Sequence, residues 1–284
     1  MLPFRKILFP IDYSDASRAI VPHVRDAVRH FSAELMLVHA YGPEGLSFVD
    51  LPLASPDLPK QVREFEQARV RDFAQEHFPG IKPECFAELG EAGTIIHSVL
   101  QHQGADLVML PTHGRGPVRR LMLGSVTTKV LHDVGCAVWT ATGTAAAGYV
   151  GGYNSIACAV DESDEASTVV VAAAALAKSY NASLSVVHVL GLPPATVELD
   201  YAAIKNDLLR AAEEKLRERL AVLKVTAKHA VIEGNIANSL HDWAADHKAQ
   251  LLVVGRGHAQ GGLGRVWSSL YSIVRESPCP VLSI

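Results

Sequence analysis

A glycine-rich stretch in the first half of the chain carries residue types suited to binding an anion. Residues 110–126 read LPTHGRGPVRRLMLGSV; they follow a predicted strand and open a predicted helix. Gly114 and Gly116 allow backbone conformations closed to other residues. Gly124 and Ser125 follow, where N–H groups and a hydroxyl face an incoming ligand. Backbone N–H groups in such a loop, or at a helix N-terminus, bind phosphate. The alternative is a glycine turn followed by a helix with a solvated basic face.

Charged and titratable residues in this loop favour binding over catalysis. Arg115, Arg119 and Arg120 add positive charge, and His113 is placed to contact phosphate or to act as a base. A hydrolase needs a nucleophile held beside its base, and no such pair is visible. The chain has neither the GxxxxGK[ST] phosphate loop nor the G-x-S-x-G nucleophile turn. An enzyme is therefore the least favoured of three functions, and any hydrolysis of a bound phosphate compound is expected to be slow at most.

An internal repeat shows how these residues are positioned. Residues 7–42 match residues 156–191 at a constant offset of 149, which aligns Asp12 with Asp161. Residues 90–125 match residues 234–269 at an offset of 144, which aligns Ser125 with Ser269. We therefore predict two copies of one domain, at 1–143 and 153–284. A small-residue linker at 144–152 joins them.

Each copy alternates short apolar runs with helical segments. Strands are predicted at 6–11, 34–40, 82–88, 105–111 and 137–141, and helices at 14–30, 61–77, 94–103 and 118–132. Such alternation predicts an α/β fold. We expect two tandem, doubly wound, mostly parallel five-stranded sheets with helices on both faces, a Rossmann-like arrangement. Ligands of such sheets bind beyond the carboxyl ends of the strands.

These motifs together resemble the universal stress protein family, in tandem. The family's nucleotide pattern is G-x2-G-x9-G-[S/T], and the first copy has Pro111, Gly114, Gly124 and Ser125 at those positions. Its opening strand, which ends in Asp, matches residues 9–14, FPIDYS. Its second strand, ending His-Val, matches Val38-His39-Ala40. The resemblance covers nearly the whole chain.

The resemblance implies an adenine-nucleotide pocket in the first copy, with ATP as ligand and Mg²⁺ arriving with the nucleotide. It places one group beside adenine and ribose, a second along ribose and phosphates, and a third on the phosphates. The first group comprises Pro10, Ile11, Asp12 and Ala40; the second Leu110, Pro111, His113, Gly114, Arg115 and Gly116; the third Gly124, Ser125 and Val126.

Both copies depart from the family pattern. Pro111 replaces the first glycine, and proline has no N–H to offer a ligand. The second copy reads Gly255-x2-His258-x9-Ser268-Ser269, so two glycines are replaced. We therefore predict a weaker second site at Asp161, Gly255, His258, Ser268 and Ser269. Asp161 is also expected to bond backbone N–H groups.

Composition excludes several classes of protein. A net charge of −4 and a pI of about 6.3 give no basic field for a nucleic acid. No apolar run approaches the roughly 20 residues of a membrane span. The four cysteines have no metal-like spacing, so we expect buried thiols in a reducing cytoplasm. His39 and His188, at repeated strand ends, are expected to be buried and hydrogen-bonded.

Two functions remain open beside the enzyme. The first is a regulatory protein in stress response, whose ATP occupancy biases conformation or assembly with an unknown protein partner. The second is a scaffold with a vestigial pocket that acts through its surfaces. The resemblance also implies a possible homodimer through the fifth strands, Ala137 to Ala141 and Val281 to Ile284. In a tandem chain the fifth-strand edges of the two copies can instead pair with one another within the chain.

Overall fold

A computed structural model describes residues 2–42, 58–113, 123–143, 145–146, 149–191, 201–256 and 265–284; the side chains of 201–204 and 265–268 are not described. The chain divides into two compact units, Pro3–Gly151 and Gly152–Ile284. Each unit repeats the alternation of strands and helices that the sequence predicts.

The first unit contains five strands and four helices among its described residues. The strands are β1 Lys6–Pro10, β2 Glu34–Tyr41, β3 Glu84–Leu89, β4 Leu107–Pro111 and β5 Ala137–Ala141. The helices are α1 Asp15–Phe31, α2 Leu58–His77, α3 Ala92–Gln103 and α4 Ser125–Asp133. All described strand pairs are parallel, in the order β3-β2-β1-β4-β5.

The second unit has the same sequence of elements. Its strands are β6 Ser155–Val160, β7 Ser183–Leu190, β8 Lys228–Glu233, β9 Leu251–Val254 and β10 Val281–Ser283. Its helices are α5 Ala166–Tyr180, α6 Tyr201–Val222, α7 Ile236–Asp246 and α8 Arg265–Glu276. The parallel order is β8-β7-β6-β9-β10, so the predicted fold class is confirmed for both halves.

The strand order creates one switch point in each unit, where the direction in which strands are added reverses. In the first unit β2 pairs with one edge of β1, and β4 pairs with its other edge. Since parallel crossovers are right-handed, α1 and α2 cover one face, and α3 and α4 the other. The carboxyl ends of β1 and β4, and likewise of β6 and β9, therefore border a crevice.

Buried strands and local capping signals explain these elements. Ile7, Leu8 and Phe9 are fully buried, as expected for a parallel strand covered on both faces. Helix α1 ends at Ser32, in the left-handed conformation, and α5 ends in the same way at the repeat-related Asn181. Asparagine is one of the few residues that tolerate this conformation.

Two helix starts in the first unit differ by three residues or more from the sequence prediction. Helix α2 begins at Leu58 rather than at residue 61, since Pro59 is tolerated in a first turn. The predicted helix 118–132 begins at Ser125, with Gly124 as its N-cap. Gly124 N–H donates to the carbonyl of Thr112 at 2.9 Å, which holds this residue outside the helix. Residues 114–122 lie outside the described residues.

Membrane and thiol predictions have mixed outcomes. None of the described helices is long and apolar enough to cross a membrane. Cys158 and Cys279 are buried, and burial raises the pKa of their thiols to about 12 and about 11. Cys85 and Cys136 are only half-buried, so the prediction of burial is wrong for these two.

Candidate functional site

Asp12 is fixed by serines at the carboxyl end of β1. Its Oδ1 accepts hydrogen bonds from the Ser14 N–H at 3.0 Å, from the Ser14 hydroxyl at 2.6 Å and from the Ser17 hydroxyl at 2.6 Å. Ser14 is also the N-cap of α1, because its Oγ accepts from Ser17 N–H. The carboxylate is therefore locked to the first turn of α1.

A buried side-chain network holds the same loop from its other side. His39 Nδ1 donates to the carbonyl of Ile11 at 2.8 Å, and its ring packs against that of Tyr13. Its Nε2 lies 3.7 Å from Oε2 of Glu66, a buried residue of α2. Arg69 donates to both Glu66 oxygens and lies over the Tyr13 ring. The prediction that His39 is buried and hydrogen-bonded is confirmed.

Gly124 and Ser125 form the N-terminus of α4. Gly124 caps the helix without a side-chain bond, and a Cβ there would come 3.3 Å from the carbonyl oxygen of Thr112. Ser125 is exposed, and Val126 half-buried. The first N–H groups of a helix have no intrahelical partner and carry its positive dipole end. This turn is therefore suited to an anion.

Strand β4 brings Leu110 and Pro111 to the same edge. Both are buried, and the Pro111 carbonyl accepts from the Thr127 hydroxyl at 2.9 Å. His113 follows, with its Nδ1 2.8 Å from the Thr112 hydroxyl. Pro10, the last residue of β1, and Ala40, the residue before the end of β2, are half-exposed. Gly114, Arg115 and Gly116 lie outside the described residues.

The second unit has a cavity of about 260 Å³ at its own switch point. Eight of its lining residues repeat the candidate positions of the first copy. They are Ala159, Val160, Asp161, Val189, Val254, Gly255, Ser269 and Leu270, which align with Pro10, Ile11, Asp12, Ala40, Leu110, Pro111, Ser125 and Val126. The described candidate positions of the first copy therefore correspond by the repeat to residues that line one cavity in the second unit. His258 and the side chain of Ser268 lie outside the described part of the chain.

Asp161 fixes the loop after β6 as Asp12 fixes the loop after β1, but it accepts fewer hydrogen bonds. Its Oδ1 accepts from the N–H and the hydroxyl of Ser163, which confirms the predicted bond to backbone. The position of Ser17 is taken by Ala166, so one hydroxyl is lost. Arg219 holds this loop instead, donating to the carbonyls of Asp161, Glu162 and Ser163.

His188 lacks the carboxylate that faces His39. Its Nδ1 hydrogen-bonds the Val160 carbonyl at 2.9 Å, whereas its buried Nε2 has no partner among the described residues. Aligning the buried stripes of α2 and α6, Val70 and Ala74 with Leu216 and Leu220, puts Ala212 at the place of Glu66. A cavity of about 20 Å³ remains there, enough for one water.

Ser17→Ala tests how far the Asp12 loop depends on its third donor. Ser17 is buried, so we expect the free energy of unfolding of the first unit to fall by about 1.5 kcal/mol. The measurement is urea unfolding followed by fluorescence of Trp139, the one tryptophan of the first unit, with Trp243 and Trp267 replaced by Phe. Ala166→Ser is the matched change in the second unit and is expected not to destabilise. An unchanged midpoint for Ser17→Ala contradicts the prediction.

Sequence reasoning missed Glu66, Arg219 and Glu165. Glu66 lies between Val62 and Val70 at a spacing of four, and that spacing is the signal for a buried position on α2. Glu165 precedes α5 and lines the second cavity. Because Glu165 precedes an apolar helix and belongs to no recognised motif, the sequence did not indicate that it lines a binding cavity.

Sequence comparisons agree with this architecture. The universal stress protein family model matches residues 3–141 and 152–284. A universal stress protein of Thermus aquaticus is 34% identical over 136 residues, which cover 48% of this chain and 96% of the relative. One from Methanocaldococcus jannaschii is 25% identical over 143 residues, or 45% of this chain and 88% of the relative.

Solved structures share the fold over the full length. A functionally unknown protein of Pseudomonas aeruginosa gives a TM-score of 0.72 at 16% identity, covering 99% of this chain and 92% of its own. A universal stress protein of Archaeoglobus fulgidus gives 0.67 at 18% identity, covering 98% and 95%. With the family model matching both halves, the chain belongs to the universal stress protein family and carries two copies of its domain.

Proposed function

We propose that the first copy binds an adenine nucleotide, ATP with Mg²⁺, and that its occupancy regulates the protein. The main support is that the described candidate residues lie at the carboxyl ends of β1 and β4, where the order of the strands reverses. Asp12 follows β1, Leu110 and Pro111 end β4, and Ser125 opens α4. In the second unit the repeat-related positions line a single cavity. Membership of the family favours an adenine nucleotide as the ligand, and the position of these described residues supports a site at this edge of the sheet.

The anion-binding part of this proposal rests on α4. Its N-terminus presents N–H groups and the Ser125 hydroxyl, and Gly124 leaves room for a phosphate to approach the backbone. Asp12 follows β1, the strand that pairs with β4, and is bonded to the first turn of α1. Mg²⁺ would enter with the phosphates, where it neutralises their charge.

Regulation follows if ATP binds one conformation better than another. The Asp12 loop is bonded both to α1, through Ser14 and Ser17, and to α2, through His39 and Glu66. A ligand on this loop therefore changes the surroundings of two helices. We propose that this change alters assembly with a protein partner or a second copy of the chain.

Gly124→Asp tests the nucleotide site. Aspartate is a favoured N-cap, so the helix should form, but its charge lies where the phosphates approach. Gly124→Asn is the matched control, because it caps equally well without the charge. We expect isothermal titration of ATP with Mg²⁺ into nucleotide-free protein to show binding that Gly124→Asp weakens at least tenfold more than Gly124→Asn does.

Assembly is measured on the same proteins by light scattering after gel filtration, with and without ATP. Under the proposal, any nucleotide-dependent change in mass is lost in Gly124→Asp and kept in Gly124→Asn. Equal ATP affinity in the two variants would place the phosphates elsewhere. Wild-type protein that binds no ATP and carries none from purification would instead support the scaffold function.

A further inference from the structure

One ring nitrogen of His188 is buried near the carboxyl end of β7. The residue is 8% exposed, and its Nδ1 lies 2.9 Å from the carbonyl oxygen of Val160. A carbonyl only accepts, so Nδ1 carries the proton of this hydrogen bond. The buried Nε2 has no partner in the described part of the chain. Because a buried polar atom without a hydrogen bond is destabilising, we expect a small molecule or ion to occupy the space beside it.

In the first copy a carboxylate occupies the corresponding space. His39 makes the same Nδ1 contact with a backbone carbonyl, and its Nε2 lies 3.7 Å from Oε2 of Glu66. In the second copy Ala212 stands at the position of Glu66, and a cavity of about 20 Å³ lies beside His188. The second copy has therefore kept the histidine and lost the carboxylate that faces it.

The cation that holds this carboxylate has also been kept. Arg69 donates to both oxygens of Glu66. The alignment of α2 with α6 that puts Ala212 at the place of Glu66 puts Lys215 at the place of Arg69. Lys215 lines the small cavity, and so does Arg219 from the next turn of α6. The cavity therefore lies between a histidine and a lysine whose counterparts in the first copy both face a carboxylate.

The exchanges around this cavity do not cancel in charge. Five pairs of repeat-related positions carry a charge in at least one copy. They are Asp12 and Asp161, Tyr13 and Glu162, Glu66 and Ala212, Arg69 and Lys215, and Phe73 and Arg219. With the histidine left neutral, the first copy has two carboxylates and one cation there, and the second has two carboxylates and two cations. The second copy is therefore more positive by one charge, and one monovalent anion restores the balance of the first.

The charged side chains that line the cavity already have partners. Asp161 accepts from the N–H and the hydroxyl of Ser163, and Glu162 lies 3.1 Å from Lys215. Arg219 donates to the backbone carbonyls of the same loop. The group that needs a ligand is therefore Nε2 of His188, and the two cations act on that ligand only through their field.

We propose that the cavity beside His188 binds one small monovalent anion of the size of chloride, together with a proton on Nε2. The ring takes this proton from solvent and then donates from Nε2 to the anion. A neutral ring, with its proton on Nδ1, offers Nε2 only as an acceptor, which water can satisfy. A cavity that admits one water admits chloride, which is little larger, and excludes a nucleotide. This site goes beyond the proposed function, which concerns the first copy, and does not depend on it.

The dependence of folding on chloride tests the proposal. Urea unfolding of the second unit is followed by fluorescence of Trp243, with Trp139 and Trp267 replaced by Phe. Sodium chloride replaces sodium gluconate at constant ionic strength, because gluconate is too large for the cavity. A dissociation constant of about 20 mM would raise the folding equilibrium constant about sixfold in about 100 mM chloride. We expect this rise at pH 6 and a rise below about twofold at pH 8, since chloride enters with a proton.

Variants assign the response to this cavity. Ala212→Glu restores the carboxylate of the first copy and should remove the response to chloride. Ala211→Glu, which adds the same charge at the exposed neighbouring position, should keep it. Glu66→Ala opens the corresponding space in the first copy. It should give the first unit, read by Trp139, a chloride response that the wild-type first unit lacks. Circular dichroism confirms the folding of each variant.

Several results would overturn the proposal. Absence of a chloride response in the wild-type second unit at pH 6 would mean that the cavity holds only water. A response of equal size at pH 6 and pH 8 would exclude the coupled proton. A response that survives Ala212→Glu, or that the wild-type first unit shares, would be a general effect of salt. None of these measurements involves ATP, so failure of the nucleotide proposal leaves the chloride result standing, and failure of chloride to bind leaves the nucleotide proposal untouched.

Discussion

We expect the free energy of unfolding of the first unit to fall by about 2 kcal/mol between pH 7 and pH 5 because of one histidine, His23. Burial lowers the pKa of His23 from its ordinary 6.5 to about 4, against weaker raising effects from the Ala146 backbone and from Asp26. The unfolded chain therefore binds a proton that the folded unit rejects. The contribution of His23 to stability is fully present above pH 6.5 and is lost as the pH falls toward 4.

His23 lies in a closed aromatic setting. It is 2% exposed, and its ring stacks on Tyr149 with centroids 3.7 Å apart and lies 4.9 Å from the ring of Trp139. The Tyr149 hydroxyl donates to Asp26 at 2.7 Å, which holds this segment against α1. An imidazolium here loses its hydration, which explains the direction of the shift. The repeat-related residue is Ala172, so we expect the effect in the first unit alone.

Urea unfolding at several pH values, read by Trp139 in a background without Trp243 and Trp267, measures this effect. His23→Leu keeps the apolar volume and cannot titrate. Carboxylates elsewhere add their own acid sensitivity to both proteins, so the quantity to compare is the difference between wild type and variant. Parallel curves for the two proteins between pH 7 and pH 5 would show that His23 titrates normally.

Local spacing explains why much of the site could be predicted. Asp12 and Ser14 lie two residues apart after a buried strand, and Asp161 and Ser163 repeat that spacing. A side chain two residues before an N–H reaches it in a turn, so the loop bonds follow from sequence alone. Gly124 and Ser125 were identified from their spacing after Gly114 in the family pattern, although the helix predicted over 118–132 was placed too early to mark them as its start. The repeat then transfers each position to the other copy.

Contacts between distant elements could not be predicted in this way. The spacing of Glu66 from Val62 and Val70 indicates a buried position, but it does not identify the partner, His39 of β2, which only the folded sheet brings near. The second cavity needs Glu165, Leu240 and Ile273 from three helices. Two of their repeat partners, Ala16 and Lys129, differ from Glu165 and Ile273 in chemistry, so the repeat itself gave no warning.

Glu66→Ala is expected to lower the free energy of unfolding of the first unit by about 2 kcal/mol. Glu66 is 4% exposed and accepts two hydrogen bonds from Arg69, at 3.0 and 2.9 Å, while facing His39 Nε2. Hydrogen bonds to charged groups contribute about 1.5–3 kcal/mol. Arg69 is partly exposed, so water can hydrate its guanidinium group once Glu66 is removed. The expected loss of stability is therefore near the lower end of that range. Urea unfolding read by Trp139 measures it.

Glu64→Ala is the matched control, because it makes the same replacement on an exposed position of the same helix. Any change in helix propensity is therefore common to both variants, and Glu64→Ala should stay within about 0.5 kcal/mol of wild type. Glu66→Gln keeps the volume and one acceptor, so its cost should fall between the two. Equal stability of Glu66→Ala and Glu64→Ala would mean that the network adds nothing to folding. In that case the first unit would tolerate the loss as the second does, where Ala212 lies beside His188 and leaves space for one water.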